Sequence, residues 1–176
     1  MKIEIKACFT GTVLFTHEVD GNTVAITLRA AVATRADLTG ANLTLANLAG
    51  SNLTLADLTG ASLAGANLTG ANLTRANLAG SNLTWANLAG ASLDDKSELA
   101  GDRPVFQIGP IGSRSAYFLA YITKTGLRFR SGCFFGDREA FEEKLQAEHG
   151  DNKHAQEYRA ALALVDVHAS IWTPSN

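Results

Sequence analysis

Leucine recurs at every fifth position through the middle of the chain: Leu38, Leu43, Leu48, Leu53, Leu58, Leu63, Leu68, Leu73, Leu78, Leu83, Leu88 and Leu93. Two residues before each stands Ala or Ser, from Ala36 and Ala41 through Ser51 and Ser81 to Ala91. One residue before each stands Asn, Asp or Ser, as in Asp37, Asn42, Asn47, Asp57 and Ser62. A period of five fits neither standard element. In an α-helix five residues advance about 500°, so the leucines would scatter around the cylinder. In a flat strand an odd spacing throws successive leucines to opposite faces. The register holds together if the chain turns a corner once per repeat, so that every leucine points inward again. The residue two places earlier then shares the interior and must be small. Asn, Asp, Thr and Gly take the outward and corner positions, where polar side chains meet water or backbone. The pattern predicts a solenoid lined by leucine and Ala/Ser, and it argues against a disordered tract, which has little to bury.

The flanks follow other patterns. A solenoid exposes apolar surface and unpaired strand groups at its ends, so both need covering. Residues 1–30 read as an N-terminal β cap, with strands at 2–9 and 12–19 and a third at Thr23–Arg29 behind an Asp20-Gly21 hairpin turn. Leu28 and Ala33 extend the five-residue register backwards, which predicts a degenerate first coil over 26–35. The repeat occupies 31–95, and the polar stretch from Asp94 to Pro104 ends it. Residues 96–176 read as a β+α module. Strands are expected at about 104–109, 115–123 and 127–132. A helix capped by Asp137 ends at Gly150, and a second, capped by Asn152, runs over 153–170. Its apolar face is Ala155, Tyr158, Leu162, Val165 and Ala169.

The tandem A(N/D)LXX motif, twelve repeats long, resembles that of the pentapeptide-repeat proteins. The resemblance implies a mainly β fold: a right-handed quadrilateral β-helix with four repeats to a coil, flanked here by the hairpin cap and the β+α module. Sixty residues then make three coils, a stem on the order of 15 Å tall. The tail is similar, loosely, to modules that follow short repeat tracts in some phage- and prophage-type proteins. Many family members dimerise through a terminal module, so the resemblance also implies a homodimer.

Composition narrows the function. The 176 residues carry 15 Lys+Arg against 17 Asp+Glu, a formal net charge of −2, and the tail balances ten acidic with ten basic residues. Direct nucleic-acid binding is not expected on such a balance. Two cysteines, Cys8 and Cys133, exclude a disulfide scaffold; they fall in different caps and are expected to be free thiols. No apolar run is long enough for a membrane span, and MKIEIKACF lacks the apolar block of a signal peptide, so no membrane partner and a cytoplasmic location are expected.

Candidate chemistry is sparse. His149, Asp151 and His154 have metal-ligand types, but their spacing spans a helix break. The stretch Gly109–Arg114 is glycine-rich but lacks the Gly-Lys-Ser/Thr ending of a phosphate loop and precedes a strand, so it reads as a turn. No G-x-S-x-G elbow occurs, and Asp166 and His168 do not face each other on a helix. We expect no enzyme activity, catalytic residue, metal or cofactor. Two surfaces remain as candidates. On the stem, the corner position is mostly glycine, with Leu45, Leu55, Arg75, Trp85 and Asp95 as exceptions. Four repeats to a coil would stack Leu45, Gly65 and Trp85 on one side and Leu55, Arg75 and Asp95 on the opposite one. In the tail, Tyr117, Leu119 and Tyr121 share a sheet face with Arg128 and Arg130, a combination common at protein interfaces. The reading is a non-catalytic binding protein for a protein partner. The alternative comes from the family: some members, including quinolone-resistance types, imitate duplex DNA and act on gyrase. Imitation needs a dense negative surface, whereas residues 36–93 carry only Asp37, Asp57 and Arg75 as charges.

Overall fold

The computed structural model describes residues 1–174, which divide into two compact units, Met1–Glu98 and Leu99 onward. Among them are six strands and three helices.

The first unit opens with an antiparallel hairpin, β1 (Lys2–Lys6) and β2 (Val13–Glu18). The third strand expected over Thr23–Arg29 is instead helix α1 (Val24–Ala33), so the N-terminal cap is β and α. β-branched Val24, Ile26 and Thr27 favour a strand locally. Two capping interactions and helical burial override that preference. The Thr23 hydroxyl accepts the Ile26 N–H at 3.2 Å. Asn22, buried behind the turn, donates to the His17 carbonyl at 2.7 Å and accepts from the Thr27 hydroxyl. The buried residues of α1 are Thr27, Leu28 and Ala31, the spacing of one helical face. Leu28 is therefore interior as a helix residue, and Ala33 is exposed, so the leucine register does not continue backwards.

From residue 36 the chain coils back over itself every twenty residues. Asn42 bridges Ser62 in parallel, Asn47 bridges Asn67, and the series continues to Asn72 and Ser92. The N–H of every fifth-position leucine from Leu43 to Leu73 donates to the carbonyl nineteen residues on, at 2.7–2.9 Å. This is a β-helix type coil with four repeats per turn of the chain. Each side contributes a single bridged residue, too short to count as a strand. One tight turn closes each repeat: the Ala46 N–H donates to the Leu43 carbonyl, and the same bond recurs at Ala56, Ala66 and Ala76. The third residue of each turn has φ near +60°, which a type II turn requires and glycine satisfies without strain. Where Asn or Asp stands beside the leucine, it has its own task. Its side-chain oxygen accepts the N–H two residues on, as from Thr44 to Asn42 at 3.2 Å and Thr74 to Asn72 at 2.9 Å.

Eleven of the twelve leucines are buried. Leu83 departs from the expected core list: it belongs to the last coil and is only half-buried. The hairpin covers the first coil through an Ala7–Ala41 bridge and the bond from the Asn42 N–H to the Lys6 carbonyl. At the other end the register slips by one. Lys96, not Asp95, takes the left-handed conformation, and the Asp95 carboxylate accepts the Ser97 N–H at 3.0 Å. The chain then turns back in an antiparallel Ser92–Glu98 bridge.

The second unit is a four-stranded antiparallel sheet in the order β3 (Val105–Ile111), β4 (Ala116–Thr123), β5 (Gly126–Ser131), β6 (Phe134–Gly136). The short β6 is an addition to the strands expected from sequence. Two helices follow, α2 (Arg138–His149) and α3 (Lys153–Trp172). Asp137 and Asn152 cap them as expected: Asp137 accepts the Ala140 N–H, and Asn152 accepts from His154 and Ala155. The helices cover one sheet face, where Phe118, Ala120 and Phe129 meet Phe141, Leu145, Tyr158, Leu162 and Val165 in one core. Ala169 is only half-buried. Cys8 and Cys133 are both free.

Candidate interaction surface

The corner residues define the stem's surface chemistry. Leu45, Leu55, Arg75 and Trp85 hold φ between +56° and +64°, the region their glycine counterparts occupy. A side chain there is strained by crowding of its Cβ, at a cost of about 1–2 kcal/mol. The same conformation throws these side chains outward: Leu45 is 78% exposed and Trp85 83%. Leu55 and Arg75 are exposed too. The twenty-residue coil stacks Leu45, Gly65 and Trp85 in one column, and Leu45 lies over the middle glycine. A Cβ on Gly65 would sit 2.7 Å from Leu45 Cδ2. Leu45 therefore occupies the space above Gly65, and Trp85 stands one level further along the same column. The opposite column carries Leu55 and Arg75, and the Arg75 N–H is bonded by Asp94 at 2.7 Å. Asp95, expected to complete that column, turns back to Ser97 and is not a corner residue.

The tail platform is not an open surface. Tyr121 is only 1% exposed. It lies on the central strand β4, opposite Val105 on one neighbour and Arg128 on the other, and its ring packs near Phe135 at 6.3 Å. Tyr121 is a core residue. Arg130 is half-buried, with its guanidinium 5.1 Å above the Phe135 ring. Arg128 is half-buried and bonds the Leu127 carbonyl and the Thr125 hydroxyl. The β6 strand, absent from the sequence reading, supplies the aromatic ring under Arg130. Tyr117 alone of this group is exposed.

The remaining polar candidates do not assemble. The His149 and His154 rings lie 5.8 Å apart, while Asp151 pairs with Arg159 at 2.9 Å. Among the described residues no three His, Cys, Asp or Glu side chains are placed to hold a metal ion. A cavity of about 110 Å³ lies between the Ser113–Arg114 turn, Cys133 and the end of α2, floored by Phe134, Phe141 and Tyr158. In it Ser113 meets His149 Nε2 at 3.5 Å. The Gly109–Arg114 segment, expected as a turn, is so only in its second half: Gly109 to Ile111 belong to β3, and Gly112 begins the turn, where a Cβ would fall 2.4 Å from the Tyr158 hydroxyl. No helix among the described residues is long and apolar enough to cross a membrane.

Sequence reasoning missed two exposed apolar features: Phe9 in the hairpin loop, and a stripe of Leu164, Val167 and Ile171 on α3. The signal for the stripe was present as a second set of 3,4-spaced apolar residues, hidden by the better-matched buried set.

Comparison with known proteins agrees with the coil. Residues 26–60 and 56–95 match the family described as pentapeptide repeats, in eight copies; this stretch carries pentapeptide repeats. Among solved structures, it is similar to HetL, a pentapeptide repeat protein involved in heterocyst differentiation regulation from the cyanobacterium Nostoc sp. strain PCC 7120. The identity is 39% over 35% of this chain and 31% of that one, with a TM-score of 0.28. The match thus spans about a third of HetL. No curated protein matches the chain. The family match ends at residue 95, and the phage-type likeness expected of the tail finds no support.

Proposed function

We propose that this chain is a non-catalytic binding protein of the cytoplasm whose stem presents its corner columns to a protein partner. In this reading the coil is the right-handed quadrilateral β-helix of pentapeptide-repeat proteins, and its rigidity holds the columns at fixed spacing. One observation carries the reading. Leu45, Leu55, Arg75 and Trp85 are large, exposed and seated where the backbone favours glycine. Strain of this kind persists where a side chain has a use outside the fold. Trp and Arg are frequent anchors of protein interfaces, and Leu45 lying over Gly65 beside Trp85 makes one apolar column of the pair. In the tail, Tyr117 is a separate and lesser candidate, while Arg128 and Arg130 are half-buried against their own sheet.

Imitation of DNA is the weaker reading, because Asn occupies most outward positions where acid would be required and the repeat is almost uncharged. The two readings differ in salt dependence. A partner held by apolar anchors stays bound as salt rises, whereas contacts that replace phosphates weaken steeply. The test is capture from a host lysate at low and high salt by the full chain and by a Leu45→Gly/Trp85→Gly variant. We expect a partner retained at both salt concentrations and lost with the variant. An unchanged capture profile with the variant would overturn the reading.

A further inference from the structure

The cavity between the Ser113–Arg114 turn and the end of α2 is built from the second unit alone. Its floor is aromatic. Phe141 meets Phe134 at 5.4 Å and Tyr158 at 5.6 Å, both edge to face, and Phe141 and Tyr158 are buried. The Tyr158 hydroxyl is committed to Ser131 at 3.1 Å, which leaves the ring as the surface offered. The rim is polar and open to water: Ser113, Arg114, Cys133 and Lys144 are exposed. Glu148, the acid on that rim, is held by Lys144 at 2.6 Å, so those two charges cancel. Arg114 is near enough to help lower the Glu148 carboxyl, after Lys144 and His149, yet makes no hydrogen bond or ion pair among the described residues. Its guanidinium reaches across to the turn between β5 and β6, where a Cβ on Gly132 would lie 3.1 Å from Arg114 Nη1. Ser113 Oγ and His149 Nε2 face each other at 3.5 Å, long for a hydrogen bond between them, so both are available to a third group.

We propose that this cavity binds a small aromatic carboxylate, its ring on Phe141 and Tyr158 and its carboxylate at the lip between Arg114, Ser113 and His149. Size sets the first limit. The cavity holds about 110 Å³, against roughly 150 Å³ for a closed apolar cavity that takes benzene. A single six-membered ring therefore enters with its substituent left at the open mouth, and a nucleotide is far too large. The floor sets the second limit, because rings already packed edge to face favour another aromatic ring over an aliphatic chain. The lip sets the third. One uncommitted guanidinium matches the two-pronged geometry of a planar, singly charged carboxylate. A phosphate dianion would call for a second cation, and Lys144 is already paired with Glu148. The site shares no residue with the stem, so it stands or falls separately from the corner columns.

Titration of the isotope-labelled full chain with benzoate, followed by amide NMR shifts, tests this. We expect saturable shifts in the high-micromolar to millimolar range, as suits so small a ligand, confined to amides around Ser113, Cys133 and His149. Alkylation of Cys133 by iodoacetamide, read by peptide mass, should slow in step with occupancy, while that of Cys8 stays unchanged. Arg114→Gln alters an exposed side chain and should weaken benzoate about tenfold or more, with the remaining amide spectrum in place. Benzamidine carries the same ring with a positive head, and inorganic phosphate carries charge without a ring; neither should move these amides. The proposal is overturned by the absence of saturable shifts up to the solubility limit of benzoate, by unchanged benzoate affinity in Arg114→Gln, or by equal shifts from benzamidine or phosphate.

Discussion

Leu63 has none of its side chain in water, and the coils before and after its own place Leu43 and Leu83 in the same column. Removing its three outer carbons leaves a void that neighbours on a closed coil cannot fill. We expect Leu63→Ala to cost about 2–5 kcal/mol in denaturant-induced unfolding. A cost below about half a kcal/mol would mean that the column is not packed. The corner residues should behave in the opposite sense. Leu55→Gly removes an exposed side chain and its left-handed strain together, offset by the added freedom of glycine in the unfolded chain. The expected change is between zero and a gain of about 1 kcal/mol by the same measurement. A clear loss would show that Leu55 packs against the coil instead of standing clear of it.

Elements show how far local signals reach. The helix caps were legible because capping is local: Asp137 and Asn152 stand one residue before helices whose first free N–H groups they satisfy. Asn152→Ala should therefore destabilise the second unit by about 1 kcal/mol, visible as a lower unfolding midpoint, while Asn152→Asp should restore it. The coil was legible because its period contradicts both helix and strand. α1 was not, because its β-branched residues favour a strand and the evidence against one is tertiary: the seat of Asn22 and the burial of Leu28 and Ala31. Strand alternation puts Tyr121 on an open face, and the structure buries it, for a related reason. Alternation assigns a residue to a side of a sheet, but the fate of that side is decided by neighbours such as Arg128 and Phe135, which arrive from other strands. The slip at Lys96 was equally hidden, since Asp94-Asp95 continues the polar pattern while the backbone changes register.

For the whole molecule, charge is a minor contributor to stability. Three surface carboxylates titrate below their ordinary range. Glu4 does so chiefly through its hydrogen bond with Lys2, and then with Lys6. Asp37 accepts the Thr39 backbone N–H, and Glu148 is bonded by Lys144. A carboxylate depressed in the folded state stabilises it fully above the unfolded value of about 4. That contribution is lost as pH falls through the depressed values. The thermal midpoint should thus stay level from neutral pH to about pH 5 and decline gently below about pH 4. A steep fall nearer neutrality would mean that a group other than these carboxylates controls unfolding. The rest of the stability rests on the leucine interior, the aromatic core under α2 and α3, and the bonds between coils.

The twenty-residue return of the chain also limits how such a stem can change length. An insertion of twenty residues between Gly65 and Trp85 adds one storey and leaves Trp85 above Leu45. An insertion of five, although it respects the leucine rhythm, carries Trp85 round to the adjacent wall and breaks up the column. Any multiple of five preserves the interior, but only multiples of twenty also preserve the outside, so an exterior pattern spread over successive storeys constrains growth more tightly than the core does.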